Sequence, residues 1–110
     1  MSPTSTPARG QVYRCDLGYG AKPWLVVSNN TRNRLLSEVI AIRLTTTVRE
    51  LPTWVKLSAA DPLTGYANAD CIEQLGKDEL GDYLGALTAA TMRHVNQALA
   101  VALALYPSSA

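Results

Sequence analysis

The chain has 110 residues, room for one ordinary domain and too few for two. Hydrophobic residues make up 47%, too many for a disordered chain, and charged residues only 17%, which leaves apolar surface for a partner to cover. A net charge of +1 excludes a protein that holds nucleic acid by bulk charge, so any such site must be local.

Residues 1–8 are rich in Ser, Thr and Pro without an apolar stretch, and read as a loose tail rather than a signal peptide. One domain is expected over 9–106, with a second tail at 107–110. Gln11 to Leu17 predicts a first strand, with Val12, Cys15 and Leu17 as its apolar side chains. Gly18-Tyr19-Gly20 is a turn. Pro23 to Ser28 (PWLVVS) is a continuous apolar run, the pattern of a buried strand. Asn29-Asn30-Thr31 stops it, and Asn30 or Thr31 is expected to cap one helical turn through Leu35. Glu38 to Thr47 is the longest strand. Ile40, Ile42, Leu44 and Thr46 form its expected core face; Val39, Ala41, Arg43 and Thr45 lie on the other.

Thr53 to Leu57 predicts a fourth strand, and residues 59–65, with Asp, Pro and Gly, a loop. Tyr66 to Leu75 predicts a fifth strand, interrupted by Asn68 and Asp70. Lys77 to Gly81 looks like one helical turn, after which the chain extends to Leu87. Thr88 is a good N-cap for a helix in which Met92, Val95, Leu99 and Leu103 recur at helical spacing, with Pro107 ending it. Short strands followed by one terminal helix predict a mainly β fold, a small bent antiparallel sheet or barrel with the helix on its side. Val26, Ile40, Ile42, Leu44 and Val55 are expected to form one core under Met92, Val95 and Leu99. There are no internal repeats. No run approaches the ~20 apolar residues of a membrane span, so a cytoplasmic protein without a membrane partner is expected.

The chain has no Gly-rich phosphate loop and no GxSxG. Its single histidine, His94, rules against a two-histidine ribonuclease site and is expected to be structural or solvent-facing. The acids Asp70, Glu73, Asp78, Glu79 and Asp82 have no His or Cys at ligand spacing. They read as a solvated face, and no metal or cofactor is expected. Cys15 and Cys71, in no CxxC spacing, are expected to be reduced and mostly buried. There remain Lys22 at the mouth of the second strand, Thr45-Thr46-Thr47 at the end of the third, and Arg43 on the same face as Thr45. Each has an ordinary explanation as strand or surface residue.

Taken in order, however, the strings RGQVYRCDLG, KPWLVVSN, LTTTVRELPTWVKL and YANADCIEQLGKDELG, followed by a helix, resemble the MazF/PemK family of toxins from Arg9 to Leu105. The short turn before Lys22 is similar to that of actinobacterial members. The resemblance implies an SH3-like barrel of the MazF/PemK/CcdB type with a C-terminal helix. It implies the toxin of a type II toxin-antitoxin system: a metal-independent, sequence-specific endoribonuclease that cuts single-stranded RNA, whether mRNA, tRNA or rRNA. The ribose 2′-hydroxyl would attack the neighbouring phosphorus, leaving a 2′,3′-cyclic phosphate and a 5′-hydroxyl. A homodimer and a cognate MazE-like antitoxin, its disordered tail in the RNA groove, are implied as partners.

The family's catalytic Arg and Thr match Lys22 and Thr45 here. Arg14, Asn29, Arg43, Thr46, Thr47, Arg49 and Asp70 are the candidate RNA contacts. Lys22 in place of Arg replaces a planar fork with a point charge, but an amine can give up a proton where a guanidinium does not. Asp70-Cys71-Ile72-Glu73 stands where the family often reads DQIR, an acid replacing a base. The alternatives are a CcdB-like toxin that poisons DNA gyrase without cutting nucleic acid, and a non-catalytic SH3-like adaptor using Trp24 and Trp54. The end of this chain, Leu105 to Ala110, lacks the Trp-Gly-Ile terminus of the gyrase poisons, and both tryptophans are expected to be buried.

Overall fold

A computed structural model describes residues 6–105. Its six strands are β1 (Gln11–Asp16), β2 (Ala21–Val26), β3 (Glu38–Thr45), β4 (Trp54–Lys56), β5 (Tyr66–Gly76) and β6 (Tyr83–Ala86). They form one antiparallel sheet in the order β4-β5-β3-β2-β1-β6. Helix α1 (Asn30–Leu35) joins β2 to β3, a 3-10 turn covers Lys77–Glu79, and α2 (Ala89–Leu103) packs across β4 and β5. The fold is mainly β with a terminal helix, as the sequence pattern predicts.

The single core expected is in fact two. Val12, Leu25, Ile42, Leu44, Val55 and Ala67 pack under Met92, Val95 and Ala98 of α2. Cys15, Trp24, Val26, Val39, Ala41 and Leu75 form a separate cluster on the opposite face of the sheet. Val26 therefore belongs with Val39 and Ala41 rather than with Ile42, and Ile40 is only half-buried. A flat strand with one wet face would obey simple alternation; a strongly curled small sheet buries both faces near its centre.

The same curvature explains β5. Its pairing with β3 runs from Glu38↔Gly76 to Ile42↔Ile72 and resumes at Arg43↔Asn68, so Ala69, Asp70 and Cys71 stand unpaired in a bulge. The bulge shifts the register by an odd number of residues, which exchanges the faces of β5. Ala67 and Ala69 face α2 above it, whereas Leu75 faces the other cluster below it. Of the two polar residues noted in this strand, Asp70 lies in the bulge and Asn68 borders it.

The helices end where local chemistry stops them. Asn29, not Asn30 or Thr31, caps α1, its Oδ1 accepting from Arg32 N at 2.8 Å. Thr88 caps α2, accepting from Thr91 N at 3.1 Å. The helix closes at Leu103 with Ala104 left-handed (φ 54°), before Pro107, which lies outside the described residues. Its buried stripe is Thr91, Met92, Val95 and Ala98, with Leu99 half-buried; Leu103 turns to solvent, 52% exposed. His94 is exposed, as expected.

Pro7 and Ala8, read from sequence as tail, are packed: Pro7 is buried and Ala8 N donates to Gln11 Oε1 at 2.7 Å. Arg9 then ties this entry to α2. Its Nε donates to Val27 O at 2.9 Å and its guanidinium reaches Asn96 Oδ1.

Candidate active site

Strand register decides which of the polar residues meet. In the β2–β3 ladder Val26 pairs with Ala41, Leu25 with Ile42 and Trp24 with Arg43. The ladder ends at Trp24↔Arg43; Lys22 and Thr45 each lie two residues beyond that pair, and parity sets both on the face that carries Trp24 and Arg43. On the other side of β3, Thr45 pairs with Tyr66 and Arg43 with Asn68. Beyond β5, Lys56 pairs with Tyr66 and Trp54 with Asn68. One end of the sheet, on the face away from α2, thus gathers Lys22, Arg43, Thr45, Tyr66, Asn68, Trp54 and Lys56.

Each central residue is held by its backbone surroundings. Lys22 lies within β2 rather than before it, pairing with Cys15. The turn that delivers it is pinned by Asp16, whose Oδ1 accepts from Gly18 N at 2.8 Å and Gly20 N at 3.1 Å. Both glycines have positive φ, 109° and 103°, which an Asp-anchored tight turn requires. Thr45 ends β3, and its hydroxyl accepts from Thr47 N at 3.1 Å, curling the exposed Thr46-Thr47 segment back. Gly65 lies against its backbone: a Cβ there would stand 2.3 Å from Thr45 O, and φ is 119°.

Arg49 of the following loop lies over the Trp54 ring at 5.6 Å, and Trp54 and Tyr66 are tilted rings 6.4 Å apart. Asp70, in the bulge, accepts from Thr53 Oγ1 at 2.6 Å. The bulge also sets the Cys71 thiol beside this face. Its pKa is raised by burial and by Glu73, only partly countered by Arg43. The Cys15 thiol is raised too, by burial and then by Glu79 and Asp16. Neutral thiols of this kind are poor nucleophiles. Both cysteines are free, Cys15 buried and Cys71 half-buried.

Not every predicted RNA contact reaches this surface. Arg14 pairs with Pro23, so it projects to the opposite face from Lys22. It lines a recess of about 350 Å³ with Asp16, Glu79 and Asp82, an acidic lining unsuited to a polyanion. Asn29 sits past the far end of β2 and spends its side chain on the α1 cap. Arg43, Thr46, Thr47, Arg49 and Asp70 do lie at or beside the Lys22–Thr45 end. Sequence reasoning missed Tyr66, Asn68 and Lys56, whose signal was the alternation of each within its strand. It also read Trp54 as buried, whereas the ring is half-open and Trp24 is the enclosed one, 1% exposed.

Among the described residues no three His, Cys, Asp or Glu side chains come together as a metal site. An ammonium, a guanidinium and a hydroxyl at one rim supply instead positive charge and hydrogen-bond donors, the needs of a pentacoordinate phosphorane.

A curled antiparallel sheet with a helix on one face and a cationic, aromatic rim on the other defines a small β toxin-like domain, and comparison with known proteins places it. The chain belongs to the PemK-like, MazF-like toxins of type II toxin-antitoxin systems, whose family model matches residues 8–103. It is 69% identical over 101 residues to Endoribonuclease MazF4 of Mycobacterium tuberculosis, covering 92% of this chain and 96% of that one. It is also 33% identical over 104 residues to the probable endoribonuclease MazF5 of the same organism, covering 91% and 95% of the two chains. Among solved structures it matches a mycobacterial endoribonuclease in complex with its cognate antitoxin, with a TM-score of 0.91 and 69% identity over 93% of this chain and 99% of that one.

Proposed function

We propose that this toxin is an endoribonuclease that cuts single-stranded RNA at short specific sequences without a metal, by attack of the ribose 2′-hydroxyl on the adjacent phosphorus. The products are a 2′,3′-cyclic phosphate and a 5′-hydroxyl end. The observation that carries the reading is the β2–β3 register, which leaves Lys22 and Thr45 each two residues beyond the Trp24–Arg43 pair, on the face that also presents Arg43.

In this mechanism the neutral Lys22 amine takes the 2′-hydroxyl proton, and the ammonium it becomes stabilises charge on the phosphorane oxygens. The Thr45 hydroxyl donates a hydrogen bond to a phosphate oxygen or to the departing 5′-oxygen, which takes its proton from solvent to leave as a hydroxyl. Half-burial of both keeps their interactions with a phosphate stronger than they would be in open water. Arg43 and Arg49 add local positive charge to a chain with almost none in balance.

The working form is a homodimer in the cytoplasm. Val101, Leu103 and Leu105, at the end of α2, are each more than half exposed and suit coverage by a second copy. A cognate antitoxin inhibits by laying an acidic, disordered segment along the cationic rim, where it competes with RNA.

The test is incubation of pure protein with a long single-stranded RNA in excess EDTA, followed by analysis of the ends. Cleavage with cyclic-phosphate and 5′-hydroxyl ends is expected. Dependence on a divalent cation, or 5′-phosphate ends, would refute the mechanism.

A further inference from the structure

We infer that Trp54, flanked by Tyr66 and roofed by Arg49, is the platform on which one unpaired RNA base stacks next to the scissile phosphate, with Asn68 reading its edge. The inference rests on the endoribonuclease reading above and names a specificity-determining part of the same site.

The placement comes from register. Tyr66 is directly opposite Thr45, Asn68 opposite Arg43, and Trp54 opposite Asn68, all on one face. Neighbouring strands lie ~4.8 Å apart, so Trp54, two strands from Thr45, is ~10 Å across the sheet from it. That is the reach from a phosphate to the base of an adjoining nucleotide.

Trp54 has the properties such a platform needs. It sits on a three-residue edge strand, so no further strand covers its side. Its ring is half-open while the other indole, Trp24, is sealed in the core. Its cross-strand partner is Asn68, and Tyr66 and Arg49 lie against its ring. The tilted Tyr66 ring packs beside the indole at 6.4 Å, and the Arg49 guanidinium of the preceding loop lies over its face at 5.6 Å, holding the place that a stacked base would take. An unpaired base stacks on the indole by displacing Arg49, which then meets the negative backbone together with Lys56. A purely hydrophobic peptide anchor would leave the cation and Asn68 without a role.

Asn68 gives the platform its selectivity. Its Oδ1 already accepts from Asp70 N at 2.9 Å, which leaves the amide Nδ2 as the group it offers a ligand. The stacked base should therefore carry a carbonyl acceptor on the edge turned to Asn68.

The experiment compares wild type with Trp54→Ala, Trp54→Phe and Asn68→Ala on one long single-stranded RNA, sequencing every cut end and measuring kcat and KM on a short oligonucleotide built from the commonest wild-type site. Stacking of a base on an aromatic ring predicts that Trp54→Ala loses roughly five- to a hundredfold in kcat/KM, carried by KM, while Trp54→Phe stays within severalfold. Asn68→Ala should relax base preference at a single position beside the cut and leave the others unchanged. A 2′-O-methyl version of the same oligonucleotide should quench indole emission in wild type and not in Trp54→Phe.

A folded Trp54→Ala protein, by its thermal melt, that cuts the same sites with the same kcat/KM would overturn the platform. So would a normal cleavage pattern combined with lost binding of an antitoxin-tail peptide, which would assign the platform to the antitoxin. If wild type itself cut no RNA, the endoribonuclease reading would have failed first, and the two failures are distinguishable.

Discussion

The loop between β4 and β5 is fastened to α2 by one carboxylate, and its removal should be felt strongly. Asp61 Oδ2 accepts from Ser58 N at 2.7 Å, Ser58 Oγ at 2.9 Å and Thr91 Oγ1 at 2.7 Å, while Oδ1 accepts from Thr88 N at 2.8 Å. Thr88 is the N-cap of α2, so the carboxylate also meets the positive end of the helix dipole. Burial alone would raise the Asp61 pKa, but the bonds from Thr91, Thr88 and Ser58 outweigh it and the net direction is down. A hydrogen bond to a charged group contributes ~1.5–3 kcal/mol. The Ser58 pair is exposed and replaceable by water, so the two bonds to α2 dominate. Asp61→Asn should therefore cost ~2 kcal/mol, a fall of roughly 8–16 °C in Tm for a domain of this size.

The sign of the pH dependence follows from the lowered pKa. The unfolded chain holds its proton at higher pH than the folded one, so the stabilisation is complete above the ordinary carboxylate pKa of ~3.9 and is lost as pH falls through the lower folded value. Circular dichroism melts of wild type and Asp61→Asn between pH 7 and pH 3 should show a gap that is full at neutral pH and closes below pH ~4. Equal melting temperatures at pH 7, or a gap unchanged down to pH 3, would refute the role given to this carboxylate.

Lys22→Ala and Thr45→Ala should each lower RNA cleavage by ~10²–10³ with the melt unchanged, the cost of deleting a preorganised donor. Lys22→Arg separates charge from proton transfer: retained activity means charge alone, whereas loss of most activity with a flattened alkaline limb of the rate profile means a base. Gly65→Ala, at φ 119° and with its new Cβ 2.3 Å from Thr45 O, should cost ~1–3 kcal/mol and lower cleavage by displacing Thr45; wild-type melting and rate would contradict the contact. Light scattering at micromolar concentration should give the mass of a dimer with more than ~1,000 Å² buried in total, and a monomer mass would contradict the covered-surface argument.

The elements themselves were legible because each carries its own local code. The Val-Val run of β2, the alternation of β3 and the Thr88 cap of α2 need no long-range information. What escaped was anything set by one strand against another. The bulge at Ala69–Cys71 turns β5 over, and nothing in YANADCIEQL announces an odd register shift. The two-sided burial of β3 comes from the curl of the sheet, which alternation cannot express. Arg14 looked equivalent to Arg43 as a basic residue in a strand, yet its partner Pro23 turns it to the opposite face. Trp54 looked like core because its neighbours Val55 and Leu57 are core; only the edge position of β4 opens it.

None of the residues gathered at the rim is an imidazole, and neither thiol nearby is activated. In the proposed mechanism Lys22 is then the one rim group that exchanges a proton, and the rest of the rate enhancement comes from where donors and charges sit. The positions are held by residues that never touch a substrate: Asp16 with Gly18 and Gly20 behind Lys22, and Gly65 behind Thr45. A change at Asp16 should therefore behave as a loss of catalysis more than of binding, because it lets Lys22 move relative to Thr45 while leaving the charge present. On the same grounds, substitution of Arg43, which adds charge but sits two residues back along β3 from Thr45, should raise KM more than it lowers kcat. An Asp16→Ala protein with wild-type kcat would show that Lys22 needs no such anchor, and the preorganisation argument would fall with it.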